Sequence, residues 1–186
     1  MKHLPELETQ RLLLRPAHPR LARAAAAYYA RNEAFLQAFE PTHHPDFATV
    51  PYQKALMRQD RQAAKENRGL RYWIFRKEDP ETAIGCAALN NIVLGAFRSC
   101  TLAYKMDKEL LRQGYASEAV LAVVDLAFRG LELHRIEANI MPRNRASLAL
   151  ARKCGFREEG LSPKYLRING VWEDHIHMVR LNEKGE

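Results

Sequence analysis

No stretch of this chain approaches the roughly 20 consecutive apolar residues that a membrane-spanning helix needs. Residues Met1 to Glu8 also lack the basic-then-apolar layout of a secretory signal. A cytoplasmic protein without membrane contact is therefore expected. Cysteine is scarce: Cys86, Cys100 and Cys154 are odd in number and far apart, which argues against a disulfide framework. None stands in a Cys-x-x-Cys pair or a nucleophile context, so they read as small buried hydrophobes. Metal ligands are equally sparse. His175-Ile-His177 puts two imidazoles on one face of a strand, but no third ligand accompanies them, and no metal is expected. Internal repeats, low-complexity linkers and a second composition are missing too, which leaves residues 1–186 as a single domain.

What is present suits a packed core and an anionic partner. Of 186 residues, 47% are hydrophobic, enough for a sizeable interior. The 29 Lys plus Arg against 22 Asp plus Glu give a net charge of +7. The arginines are scattered through the chain, so nucleic acid and a phosphorylated cofactor fit the excess equally well.

Along the chain, Glu8 to Arg15 reads as a strand ended by Pro16, and the alanine-rich Leu21 to Tyr29 as a helix. Phe39 to Pro51 has no periodicity and reads as a loop; Tyr52 to Asn67 reads as a second helix, closed by Gly69. Three strands follow, Arg71 to Arg76, Thr82 to Asn90 and Ser99 to Met106, as an antiparallel meander. After Gly114 the period becomes 3.6, with Ala116, Val120, Val123 and Ala127 on one stripe. A strand from His134 to Met141, a helix from Asn144 to Lys153 and a stop at Gly155 complete a βαβα order that calls for parallel pairing. Lys164 to Ile168, Asn169-Gly170 and Trp172 to Leu181 predict a hairpin.

Two segments bear chemistry. In Leu111-Arg-Gln-Gly-Tyr-Ala-Ser117 a strand turns into a helix whose first N–H groups have no partner within it and lie at the positive end of its dipole. Gly114 allows close backbone approach and Ala116 leaves space, which makes an anion cradle; a plain structural turn is the competing reading. In Ile140 to Ser147, Asn144 stands where a helix N-cap is expected. Alternatively, its amide would bond an extended amide-bearing ligand, and the Ser147 hydroxyl would protonate a leaving thiolate. Glu137 shares a face with Asn139 and Met141; it is either a general base or the ion-pair partner of Arg135.

Taken in order, Glu8-Thr-Gln-Arg-Leu-Leu-Leu-Arg15, Ile84-Gly85, Gln113-Gly-Tyr-Ala-Ser-Glu-Ala119, His134-Arg-Ile-Glu-Ala138, Met141-Pro-Arg-Asn144 with Ser147, and Lys153-Cys-Gly-Phe156 resemble the GNAT superfamily of N-acetyltransferases. The RimJ/RimL-type ribosomal-protein branch is the nearest, and Lys164 to His175 looks more like RimJ than RimL. Leu111 departs from the family signature, which begins there with Gln or Arg; a cradle of main-chain amides loses little from it.

The resemblance implies an α/β (α+β) GNAT fold: a mixed, mostly antiparallel twisted sheet with splayed central strands and helices on both faces. It implies acetyl-CoA as co-substrate and no metal. The pyrophosphate would lie on Arg112, Gln113, Gly114, Tyr115, Ala116 and Ser117. Tyr104 and Met106 would border the pantetheine, with Asn144 and Ser147 near the reacting end. The expected acceptor is the N-terminal alanine α-amine of a ribosomal protein, met in a groove that includes Thr42 to Phe47. A small amine (polyamine, amino acid or aminoglycoside) is the alternative substrate, and a non-catalytic ribosome- or RNA-binding protein the alternative class. RNA contact rests on net charge alone, and monomer and homodimer both remain open.

Overall fold

The computed structural model describes residues 4–183. Its strands are β1 (Leu7–Glu8), β2 (Leu12–Pro16), β3 (Leu70–Arg76), β4 (Asp79–Val93), β5 (Ser99–Met106), β6 (Arg135–Ile140), β7 (Arg157–Ile168) and β8 (Val171–Leu181). They form one mixed sheet in the order β1-β2-β3-β4-β5-β6-β8-β7. All pairings are antiparallel except β5 with β6, the parallel step that the βαβα order calls for. Four α-helices accompany it: α1 (Ala22–Leu36), α2 (Val50–Lys65), α3 (Tyr115–Asp125) and α4 (Arg145–Lys153).

The helices divide between the two faces. Trp73, Phe75, Ala83 and Cys86 of the sheet pack with Ala22, Ala25, Tyr28, Tyr29 and Leu36 of α1 and Met57 of α2. On the opposite face Leu12, Leu14, Tyr72, Ile74, Leu89 and Leu102 meet Val120, Val123 and Val124 of α3 and Leu148 and Ala151 of α4. With both faces covered, β3 is buried from Tyr72 to Phe75 without alternation. Gly85 keeps β4 close to β5, because a Cβ there would collide with the Lys105 carbonyl.

Several boundaries differ from the sequence reading, each for a local reason. The first strand splits: Thr9 closes a turn onto the Leu12 carbonyl (3.0 Å), so β1 folds back on β2 with Leu7 opposite Leu14. Helix α1 runs on to Leu36, since polar Asn32 is buried and useful there, accepting from the Lys108 N–H at 3.0 Å. Helix α2 starts at Val50, capped by Thr49 with Pro51 in its first turn. Strand β7 begins at Arg157, seven residues before the expected Lys164; it is mostly exposed and broken by register shifts, so its apolar pattern is faint. Beyond Asp125 the third helix widens into a π-turn over Leu126–Gly130.

No helix among the described residues is long and apolar enough to cross a membrane.

Candidate active site

The parallel pairing of β5 and β6 is short. It joins Ser99 to Arg135, Cys100 to Ile136 and Thr101 to Glu137, yet β5 continues to Met106 and β6 to Ile140. Beyond Thr101 and Glu137 the two strands therefore separate, and the sheet opens into a V. Strand alternation sends Leu102, Tyr104 and Met106 toward α3 and α4, and Thr101, Ala103 and Lys105 toward α1. Ala103, on a central strand, is exposed, so the α1 side of the V is open as well.

On the α3/α4 side the opening is bridged by two of the expected residues. The Tyr104 hydroxyl donates to the Ser147 carbonyl at 3.0 Å and lies 2.9 Å from the Ser147 Oγ. One Tyr proton goes to the carbonyl, which leaves the Ser147 hydroxyl free to donate to Tyr104 or to an incoming atom. Burial pushes the Tyr104 phenol up to about 12, against the opposing hydrogen bond from Ser147. Asn144 does cap α4, its Oδ1 accepting from the Ser147 N–H at 3.2 Å. Its amide nitrogen has no partner among the described residues. Met106 is buried against Gly85, at the far end of β5.

The α3 N-terminus lies beyond that end of β5. Gly114 is the N-cap with φ of 86°, a left-handed value open to glycine. No side chain caps this helix, so among the described residues the N–H groups of Tyr115, Ala116 and Ser117 are unpaired and carry the positive end of the dipole. The Ser117 Oγ turns back to the Gly114 carbonyl at 2.8 Å. Arg112 and Gln113 are exposed beside them, and the Arg112 side chain has no partner among the described residues. The six expected cradle residues thus lie together at an uncapped helix end, with the Arg112 cation beside it.

What holds that surface went unread in the sequence. Glu118, in the first turn of α3, accepts from the Thr9 hydroxyl (2.6 Å), the Arg11 N–H (2.8 Å) and the Arg11 Nε (2.7 Å). Arg11 Nη1 also donates to the Gln113 carbonyl at 3.0 Å, and its guanidinium lies 4.3 Å from the centre of the Tyr115 ring. Burial alone would raise the Glu118 carboxyl; the hydrogen bonds from Thr9 and Arg11 outweigh it and hold the group below its ordinary value. The negative side chain beside the expected cradle is thereby neutralised. Its signal was an acid at the first turn of a helix and an arginine about 107 positions away, which nothing in the linear order connects.

The α1 face carries a different set. Glu137 is ion-paired to Arg135 Nε at 2.7 Å, and Arg135 also holds Glu159; the pairing alternative for Glu137 is the one seen. Asn139 donates to the Tyr165 hydroxyl at 3.1 Å. Lys105 forms an ion pair with Glu40, whose other oxygen lies 2.7 Å from His43 Nε2. His43 stacks on Phe47 with ring centres 3.6 Å apart. These contacts anchor the segment after α1 over the V, assisted by Arg143, which donates to the Ala38 carbonyl at 2.8 Å and pairs with Glu173. The two strand histidines take separate partners, His175 the Glu173 carbonyl and His177 the Ser162 hydroxyl. Trp73 is core, packed at 5.8 Å from both Tyr28 and Tyr29, while Trp172 is exposed on the hairpin.

A sheet that splits at a parallel seam, beside a helix end without a cap, has close counterparts. Residues 11–157 match the family model described as an acetyltransferase (GNAT) domain. The [Ribosomal protein uS5]-alanine N-acetyltransferase of Escherichia coli is 34% identical over 170 residues, covering 91% of this chain and 87% of that protein. The crystal structure of ribosomal-protein-S5-alanine acetyltransferase from Vibrio fischeri superposes with a TM-score of 0.93 at 30% identity, over 98% of this chain and 100% of that one. Mycobacterium smegmatis RimJ in complex with CoA-disulfide gives a TM-score of 0.87 at 30% identity, over 93% and 83%. With a family model spanning most of its length and relatives of this similarity, the chain belongs to the GNAT family of acetyltransferases.

Proposed function

We propose that this acetyltransferase moves the acetyl group of acetyl-CoA to the N-terminal α-amine of a ribosomal protein, alanine being the expected first residue, by direct attack without a covalent enzyme intermediate. The observation that carries the reading is the V between β5 and β6, bridged at its wall by Tyr104 and Ser147, with Ala103 exposed on its α1 side. An acetyl donor approaching from the α3/α4 side and an amine from the α1 side would meet there. The names of the E. coli and V. fischeri relatives support the acceptor class; the CoA-bound M. smegmatis structure supports the donor.

In this reading Arg112, Gln113, Gly114, Tyr115, Ala116 and Ser117 receive the pyrophosphate, mainly through main-chain N–H groups. The free Asn144 amide nitrogen, with Tyr104 and Met106, lines the path of the pantetheine. Ser147 gives its proton to the thiolate as it leaves and is held in place by Tyr104. Glu137 is the base. It has little to do, because an α-amine with pKa near 8 is already partly neutral at pH 7, unlike a lysine side chain near 10.4. The Glu40, His43 and Phe47 segment borders the acceptor.

The test is to supply acetyl-CoA with a panel of N-terminal peptides, polyamines and aminoglycosides and to follow released thiol. Turnover on Ala-starting peptides is expected to lead the panel. Preference for a small polyamine would move the assignment to that substrate class, and silence with every acceptor, together with no acetyl-CoA binding, would end it.

A further inference from the structure

The net charge is not spread evenly. Most described arginines and lysines are spoken for: Arg11, Arg15, Arg31, Arg71, Lys105 and Arg135 each hold a carboxylate. On α2 the pattern reverses. Lys54, Arg58, Arg61 and Lys65 recur at spacings of four, three and four residues and are all exposed. At 100° and 1.5 Å per residue these four fall within an arc of about 60° and along a line of about 16 Å. None of their side chains has a hydrogen bond or ion pair among the described residues.

The acids that could neutralise this ridge are engaged elsewhere. Asp60, on the same helix, turns to Arg71 at 3.1 Å, and Glu6 pairs with Arg15 at 3.5 Å. Both line a pocket of about 350 Å³ at the C-terminal end of the ridge, where Arg20 joins Arg61 and Lys65. The local field is felt by His18 in the same pocket: burial and then the charges of Arg61 and Arg20 lower its pKa.

We propose that the α2 ridge, Lys54, Arg58, Arg61 and Lys65 with Arg20 at its end, binds the phosphodiester backbone of RNA. A straight row of unpaired cations on a rigid helix suits a regularly charged polyanion whose recognition needs no base contact. A membrane surface fits poorly: the large apolar side chains of α2 point inward, and the one exposed, Val50, stands at its first residue. The position gives the ridge a use. Lys54 follows by a few residues the segment of Glu40, His43 and Phe47 that borders the V, so RNA docked on α2 would hold a protein tail carried on the same particle beside the acceptor opening. That use rests on the proposed acceptor, whereas RNA binding itself is measured without acetyl transfer, so the two fail separately.

The experiment follows fluorescence anisotropy of a dye-labelled RNA hairpin of arbitrary sequence across a KCl series. With four or five phosphates neutralised, log affinity should fall against log salt with a slope of about −3 to −4. The triple variant Arg58→Gln, Arg61→Gln, Lys65→Gln should flatten the slope by about 2 to 3 and weaken binding at low salt at least tenfold, while thiol release with a free peptide stays at the wild-type rate. A charge-matched control, Arg98→Gln, Arg129→Gln, Arg157→Gln, lies around the groove at the C-terminal end of α3 and should retain most of the affinity. The proposal is overturned by absence of wild-type binding, by equal losses in both triple variants, or by a polyaspartate peptide that binds the ridge as tightly as the RNA.

Discussion

Replacing Tyr104 by Phe, Ser147 by Ala, and both together, puts the proposed thiolate donor to a quantitative test. Tyr104→Phe keeps the half-buried ring and removes only the hydroxyl that lies 2.9 Å from the Ser147 Oγ and 3.0 Å from its carbonyl. A neutral hydrogen bond of this kind contributes about 0.5–1.5 kcal/mol to stability. The same amount lost from the orientation of Ser147 is a rate loss on the order of tenfold, since about 1.4 kcal/mol is a factor of ten. Ser147→Ala removes the proton donor itself, and such groups contribute roughly 10²- to 10⁴-fold. The double variant should then be no slower than Ser147→Ala alone, because an orienting hydroxyl has nothing left to orient. Stopped thiol release gives kcat and acetyl-CoA binding gives affinity; the losses are expected in kcat. The Tyr104 phenol, near 12 through burial, stays protonated across the assay range, so its own ionisation adds no pH dependence. Rate losses that multiply in the double variant would show that Tyr104 acts independently of Ser147, and wild-type turnover of Ser147→Ala would reduce that residue to a helix-terminal one.

The cradle predicts that Gly114→Val weakens acetyl-CoA binding and costs stability. At φ of 86° a branched side chain is strained, and its Cβ meets Arg11 Nη2 at 3.2 Å; calorimetry on the folded variant checks it. Glu118, Glu40 and Asp107 are all held below their ordinary values by arginine, lysine or hydroxyl partners that outweigh burial. Each therefore binds fewer protons folded than unfolded, so the stability they confer is complete above about 4.5, the ordinary glutamate value, and is lost as pH falls through the folded values. Denaturation midpoints from pH 6 down to about 3 should show this decline, and Glu118→Gln should flatten part of it. Cys86, Cys100 and Cys154 are buried, and burial pushes the Cys100 thiol up to about 12. A thiol reagent should label none of them rapidly until denaturant is added, and fast labelling of native protein would contradict this packing.

What was legible in the chain was whatever local chemistry decides. The switch to period 3.6 after Gly114 marked α3 because one stripe of Ala and Val had to be buried, and Asn144 announced α4 because an N-cap needs an acceptor side chain. Strand β3 was readable from its aromatic density and β5 from Leu102 and Tyr104 on one face, whereas β4 runs three residues past the expected Thr82 to Asn90 at each end. Strand β7 was not: Arg157 to Ser162 is edge strand, largely solvated, so its residues are chosen for water and carry no alternation. The site divided in the same way. The uncapped start of α3 at Gly114 is built from contiguous backbone and could be read from seven letters. Its brace, Thr9 and Arg11 on Glu118, and the clamp of Lys105 on Glu40 join residues that only the folded sheet brings together. Tyr104 and Ser147 were each suspected, but their contact, 43 positions apart, was not.

The three-rung seam between β5 and β6 has a mechanical consequence. The eight strands behave as a panel of five and a panel of three that share a short hinge, and past Thr101 and Glu137 the facing edges of the two panels carry main-chain groups with no rung between them. Such edges breathe more readily than the interior of either panel. Deuterium should therefore enter residues 102–106 and 138–140 early on their inner edges, and a ligand wedged between the panels should act as mortar, slowing exchange on both sides at once and raising the melting temperature.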